Sequence, residues 1–222
     1  MIGFFLTVAF LAPQVENDAG SGPQPASVQV SWQLDFEFIS EPLRIDVGGQ
    51  SYWYILYRVT NPEPRTHQFF PIFSIVTDDY KVVETDKGIG DTVFNAIKSR
   101  HQQVFPGLVS PLQVIGPIRT GADYARESEA IWRDVDLAAT GFNVYVAGLS
   151  GESQLVPNPN FDPDEPKSKT ITLPNGRTRE VATNPKTFTI RKTLEIRYNI
   201  PGSLRGRGAT EPIRTKTRWV LR

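Results

Sequence analysis

Cysteine is absent from this chain, and histidine occurs only as His67 and His101. Without a thiol there is no disulfide scaffold, no cysteine nucleophile, no thiolate metal site and no lipidated cysteine. Two histidines leave little material for histidine-based metal or acid/base chemistry. Net charge is missing too: 24 basic and 24 acidic residues cancel, so no global field recruits nucleic acid or an acidic membrane. No apolar run reaches the roughly 20 residues that a membrane-spanning helix needs. No fixed-period repeat appears, which argues against a propeller or solenoid. A glycine-rich phosphate motif is lacking, and so is a nucleophile elbow. Around Ser150 only Gly148 holds the required spacing, because Gly151 is one position away instead of two. No cofactor is expected.

What the chain does have is length for one sizeable domain, an aromatic content of 11%, and turn formers in number, 17 Gly and 18 Pro. That mixture favours many short elements over a helical bundle. The uncharged run MIGFFLTVAFLA has the length of a signal-peptide core, and the following PQVENDAGSGPQPAS is a polar spacer with nothing to pack. Residues 1–27 are therefore expected to be an export leader and spacer. The fold is expected to begin near Val28, with 28–222 as one domain in the periplasm, the cell envelope or outside the cell.

Alternation governs the rest. Val28, Val30, Trp32, Leu34, Phe36 and Phe38 fall on one side of a predicted strand and Gln29, Ser31, Gln33, Asp35 and Glu37 on the other. PLRIDV, a Gly48-Gly49 turn and the near-continuous apolar run Tyr52 to Val59 predict a hairpin whose second strand is buried on both faces. Asn61-Pro62-Glu63-Pro64 forces a turn. A strand over Phe69 to Thr77 must place Pro71 at an edge or a bulge. The turn Thr77-Asp78-Asp79-Tyr80 leads into KVVET, and Asp91 is read as the N-cap of one helix carrying Val93, Phe94, Ile97, His101 and Val104 and ended by Pro106-Gly107. Ala130 to Val135 and Phe142 to Leu149 are short strands. Residues 151–169 read as a Pro-rich surface loop, and Asn175-Gly176 as a hairpin turn. Two further alternating strands close the chain, one over Phe188 to Tyr198 and one in which Arg214, Lys216, Arg218 and Arg222 share a face.

About ten short strands and one short helix predict an all-β, antiparallel sandwich. The leader, the YRVTNPEP strand-to-turn segment, the hairpin around TDDYK and the AGLSGE strand end resemble bacterial secreted immunoglobulin-like β-sandwiches of unassigned function, over about residues 28 to 150. The resemblance implies an immunoglobulin-like fold, and it carries over no catalytic residue.

Charge is unevenly distributed along the chain. Residues 1–165 hold 10 basic and 21 acidic side chains, net −11; residues 166–222 hold 14 and 3, net +11. On the favoured, architectural reading, Arg191, Arg197, Arg214, Lys216 and Arg218 pair with acids of earlier strands such as Asp35 and Glu37. On the functional alternative, those same side chains, Arg191, Arg197, Arg214, Lys216 and Arg218, form one patch joined to Arg205 and Arg207 for a polyanion or glycan. Other candidates are weaker. NPNFDPDEP alternates oxygens as a calcium loop does, but its prolines favour an extended chain without the glycine bend. Asp78 and Asp79 suit a turn better than an acid/base pair. Tyr52, Trp53, Tyr54 and Tyr57 could display rings to a sugar, but core packing explains them more simply. The expectation is a non-enzymatic exported module with a structural or protein-interaction role. Its partner would be a protein or envelope component, with no integral membrane span, no metal and no nucleic acid.

Overall fold

The computed structural model describes residues 32–133, 139–203 and 210–222, so the expected leader lies outside the described residues. Trp32, Leu34, Phe36 and Phe38 turn to the core as their alternation requires, and Leu34 is fully buried. The segment changes partner midway. The amide of Leu34 donates to the Leu149 carbonyl at 2.8 Å, whereas β1 (Asp35–Phe38) pairs antiparallel with β3 (Gln50–Thr60). β2 (Leu43–Val47) forms a hairpin with β3 through Gly48 and Gly49, at φ 60° and 78°. Two consecutive positive φ values mark the tight hairpin turn that glycine adopts without strain. Asn61 then fixes the Pro-rich turn: its amide donates to the carbonyls of Arg65 and Ile118 at 2.7 and 3.0 Å, and its oxygen accepts the Glu63 amide.

Pro71 is neither at an edge nor in a bulge. It lies in a break between β4 (His67–Phe69) and β5 (Ile72–Thr77), and the two strands join different sheets. With no amide hydrogen to offer, proline marks the place where the chain changes sheet. β6 (Val82–Glu84) completes the hairpin expected after β5. The helix α1 (Asp91–His101) has Gly90, not Asp91, at its N-cap, and it ends before Val104, which is exposed beyond its last turn. Asp91 occupies the first turn, where a carboxylate complements the helix dipole. β7 (Gly116–Ile118) pairs with β4, and β8 (Arg126–Arg133) begins four residues before the expected strand. β9 (Gly141–Ala147) follows.

The segment read as a Pro-rich loop, 151–169, contains β10 (Ser153–Pro157), which pairs with the first half of β13 (Thr187–Asn199). Between them β11 (Ser168–Thr172) and β12 (Thr178–Ala182) form a separate exposed hairpin turned at Asn175-Gly176. β14 (Ile213–Leu221) pairs with β13.

Two larger antiparallel sheets result, beside the two-stranded pairs β4–β7 and β11–β12. In the first, β3 is flanked by β1 and β2 on one edge and by β8 on the other; the second runs β6-β5-β9-β13-β14, with β10 on β13. One core joins them, through Trp53, Ile55, Tyr57 and Trp132 of the first sheet and Phe73, Val144, Ile196 and Tyr198 of the second. The alternate residues of β3, Tyr52, Tyr54 and Leu56, pack with Val93 and Ile97 of α1. β3 is therefore buried on both faces, which is why its sequence is continuously apolar. Each such side chain stabilises the fold by roughly 2–3 kcal/mol on burial. The layers are helix, first sheet, second sheet. Among the described residues no helix is long and apolar enough to cross a membrane.

Candidate anion-binding face

The second sheet turns one face to the core, and among the described residues no element packs over the other. Register decides who stands there. Tyr145 and Asn143 of β9 lie opposite Glu195 and Arg197 of β13, which in turn lie opposite Arg218 and Lys216 of β14. Arg191 and Arg222 exchange backbone hydrogen bonds at 2.7 and 3.0 Å, extending the same two strands. The face thus carries five cations, Arg191, Arg197, Lys216, Arg218 and Arg222, against one acid on those strands, Glu195.

Glu195 is neutralised within the face. It is paired with Arg218 and accepts the Tyr145 hydroxyl at 3.2 Å. The Arg218 hydrogen bond, first among several favourable contacts, holds its carboxyl below the usual range. Arg222 lies over the Tyr145 ring, 4.0 Å from its centre, and reaches Ser74 Oγ at 3.4 Å. Among the described residues, Arg191, Arg197, Lys216 and Arg222 make no ion pair. A shallow groove of about 260 Å³ crosses the face, lined by Ser74, Tyr145, Thr189, Arg191, Thr193 and Arg222 among others.

The residues expected in a polyanion patch are divided. Lys216 and Arg218 are on this face, while Arg205 and Arg207 lie outside the described residues. Arg214 is not on it. The register slips between Arg197 and Tyr198, so that Arg214 joins the side of Thr217 and Trp219. There it pairs with Glu41 at 2.6 Å and lies over the Phe38 ring. The extra residue of a bulge reverses which side the following positions face. The architectural expectation also needs correction: among the described residues, two of the five pair with an acid, Arg214 with Glu41 and Arg218 with Glu195 of the neighbouring β13, while Glu37 pairs with Arg58 at 3.3 Å. Arg191, Arg197 and Arg222 are visible in the sequence as alternating strand residues, but their grouping depends on strand pairing. Lys192, on the core side of β13, pairs with Glu152 at 2.9 Å and covers Trp219.

The other candidates resolve into structural roles. Tyr52, Trp53, Tyr54 and Tyr57 are all buried. In NPNFDPDEP the oxygens of Asn158 and Asp162 accept the amides of Asn160 and Asp164, and Asn184 ties the loop together through Asp162 and Glu165. Asp78 accepts from Thr140, and Asp79 pairs with Lys81, so the two carboxylates serve different partners. Gly148 has φ 89°, and a Cβ there would collide with the Phe70 carbonyl, so the AGLSGE motif answers a backbone crossing. His67 stacks on Trp32, with ring centres 4.6 Å apart. His101 Nε2 lies 2.8 Å from the Tyr54 hydroxyl, and burial followed by the Arg100 charge lowers its basicity. Among the described residues no cluster of three or more His, Asp or Glu is placed to hold a metal.

One buried acid was not anticipated. Glu129 faces the helix layer opposite Leu56, is fully buried, and has no hydrogen-bond partner on either oxygen. Burial, reinforced by Asp86 and only partly offset by Lys98, pushes its carboxyl up to about 9. Asp86, raised to about 6 by burial, caps the edge of β8: its amide donates to the Ile131 carbonyl and its carboxylate accepts the Ile131 amide. The chain matches no protein-family model, no curated protein and no solved structure.

Proposed function

We propose that this chain is a non-enzymatic, exported binding module, an immunoglobulin-like β-sandwich that docks an anionic polymer on the uncovered face of its second sheet. The observation that carries this is the set of outward cations on β13 and β14 that make no ion pair among the described residues: Arg191, Arg197, Lys216 and Arg222. Four like charges held together repel one another, a cost that a bound polyanion removes. Two antiparallel sheets sharing a core, with a first segment that crosses from one sheet to the other, support the immunoglobulin-like comparison. The apolar run at 1–12 and its polar spacer support export, which would set the module against envelope or extracellular polymers.

The test is retention of the full chain on immobilised heparin across a salt series. If four cations each displace a counterion, affinity falls roughly 50- to 150-fold between about 50 and 200 mM salt. Arg197→Ala combined with Lys216→Ala should weaken binding at least about tenfold while leaving the circular dichroism spectrum unchanged. Retention that ignores salt, or that survives the double substitution, overturns the proposal.

A further inference from the structure

We infer, building on the anion-docking reading, that the polymer is a linear acidic polysaccharide and not a nucleic acid. The cations form a stripe along two neighbouring strands: Arg191 and Arg197 are six residues apart on β13, about 20 Å at strand rise. Arg197 and Lys216 stand directly opposite, with Cβ atoms about 5 Å apart. A long, narrow, flat stripe suits a single extended chain. The groove beside it, about 260 Å³ and open, is too small to enclose a small molecule, since such pockets run from about 300 to 1,000 Å³.

Two features separate sugar from nucleotide. Single-stranded nucleic acids are held by stacking bases on exposed rings. Among the described residues Tyr145 is the aromatic residue on these strands that faces outward, and the Arg222 guanidinium already covers its ring at 4.0 Å. Bases find no platform. Hydroxyls find several: Ser74, Tyr145, Thr189 and Thr193 line the groove between Arg191 and Arg222. Glu195 takes no part in that choice, because it is buried and already paired with Arg218 and the Tyr145 hydroxyl. The face therefore alternates charge for the acidic groups with neutral hydrogen-bonding groups for the rest of each sugar.

The experiment uses the full chain with three probes of equal charge, a heparin oligosaccharide, a short oligothymidylate and a short polyglutamate, titrated by calorimetry at fixed low salt. The heparin oligosaccharide should bind at least about tenfold tighter than either of the others. Tyr145→Phe and Thr189→Val, which remove hydroxyls and no charge, should weaken heparin binding several-fold and leave the oligothymidylate unchanged. Equal or tighter binding of oligothymidylate or polyglutamate overturns the polysaccharide assignment and leaves the anion-docking reading standing. Failure of all three probes to bind overturns both.

Discussion

On the outer face of the first sheet, α1 covers Tyr54, Leu56 and Ile131 and shuts in a carboxyl, Glu129, with no hydrogen-bond partner. On the outer face of the second, Arg191, Arg197 and Lys216 stand exposed, with no ion pair among the described residues. The same sheet geometry is finished in opposite ways. Where a layer covers the sheet, charge is suppressed: Glu129 keeps its proton because an isolated buried carboxylate is too costly. Where no described element covers it, charge accumulates, because water can solvate it. Stability is therefore concentrated in the covered layers and, on the proposed reading, recognition on the open face, and the two should separate under substitution.

The largest separation is expected at the shared core. Trp132 is fully buried, with its ring edge-on to Phe142 at 6.4 Å between centres. Trp132→Ala should cost about 3–5 kcal/mol in urea unfolding. Arg197→Ala on the open face should cost no more than about 0.5 kcal/mol. Similar losses from both would mean that the open face is as structural as the core.

A smaller effect, and one specific to the covered face, comes from Glu129. Its folded pKa of about 9 lies above the ordinary value of 4.5, so the folded state holds a proton that the unfolded state releases as pH rises between them. Stability contributed at low pH is therefore lost as pH increases through this window. Between about pH 4.5 and 7 the loss is about 3 kcal/mol at 1.36 kcal/mol per unit. Asp86, raised to about 6, adds a loss of the same sign at the lower end. Glu129→Gln should flatten this slope while leaving heparin retention intact. A stability profile unchanged by that substitution would show that the carboxyl is not isolated beneath the helix.

Much of this division is legible in the residues, and its limits are physical. The double-sided burial of β3 follows from its unbroken apolar run, and the Gly48-Gly49 and Asn175-Gly176 turns from glycine's tolerance of positive φ. These are local signals. Glu129 shows no local anomaly, because a strand reading Glu127, Ser128, Glu129 resembles any solvated edge until α1 and Leu56 are placed against it. Pro71 reads as a defect in one strand and is instead the junction between two sheets. The open face was half visible: Lys216, Arg218 and Arg222 follow from alternation. Their union with Arg191 and Arg197, one of the two readings of the charge pattern, is decided by which strands pair, information that a single strand does not contain.

The finest test of the comparison is Arg214, which the alternation groups with Lys216 and Arg218 and the bulge removes from them. Its guanidinium, 2.6 Å from Glu41 and over the Phe38 ring, lies on the opposite side of β14 from the open face. Both partners are partly exposed, about 40% for each side chain, so solvent screens the pair. Arg214→Ala should therefore cost about 1 kcal/mol or less in stability. In heparin binding it should change affinity by less than about twofold, where Lys216→Ala, only two residues along, gives a several-fold loss and a shallower salt slope. Equal losses from Arg214→Ala and Lys216→Ala would mean that the two cations act on one ligand, and that the bulge does not divide the strand as the register indicates.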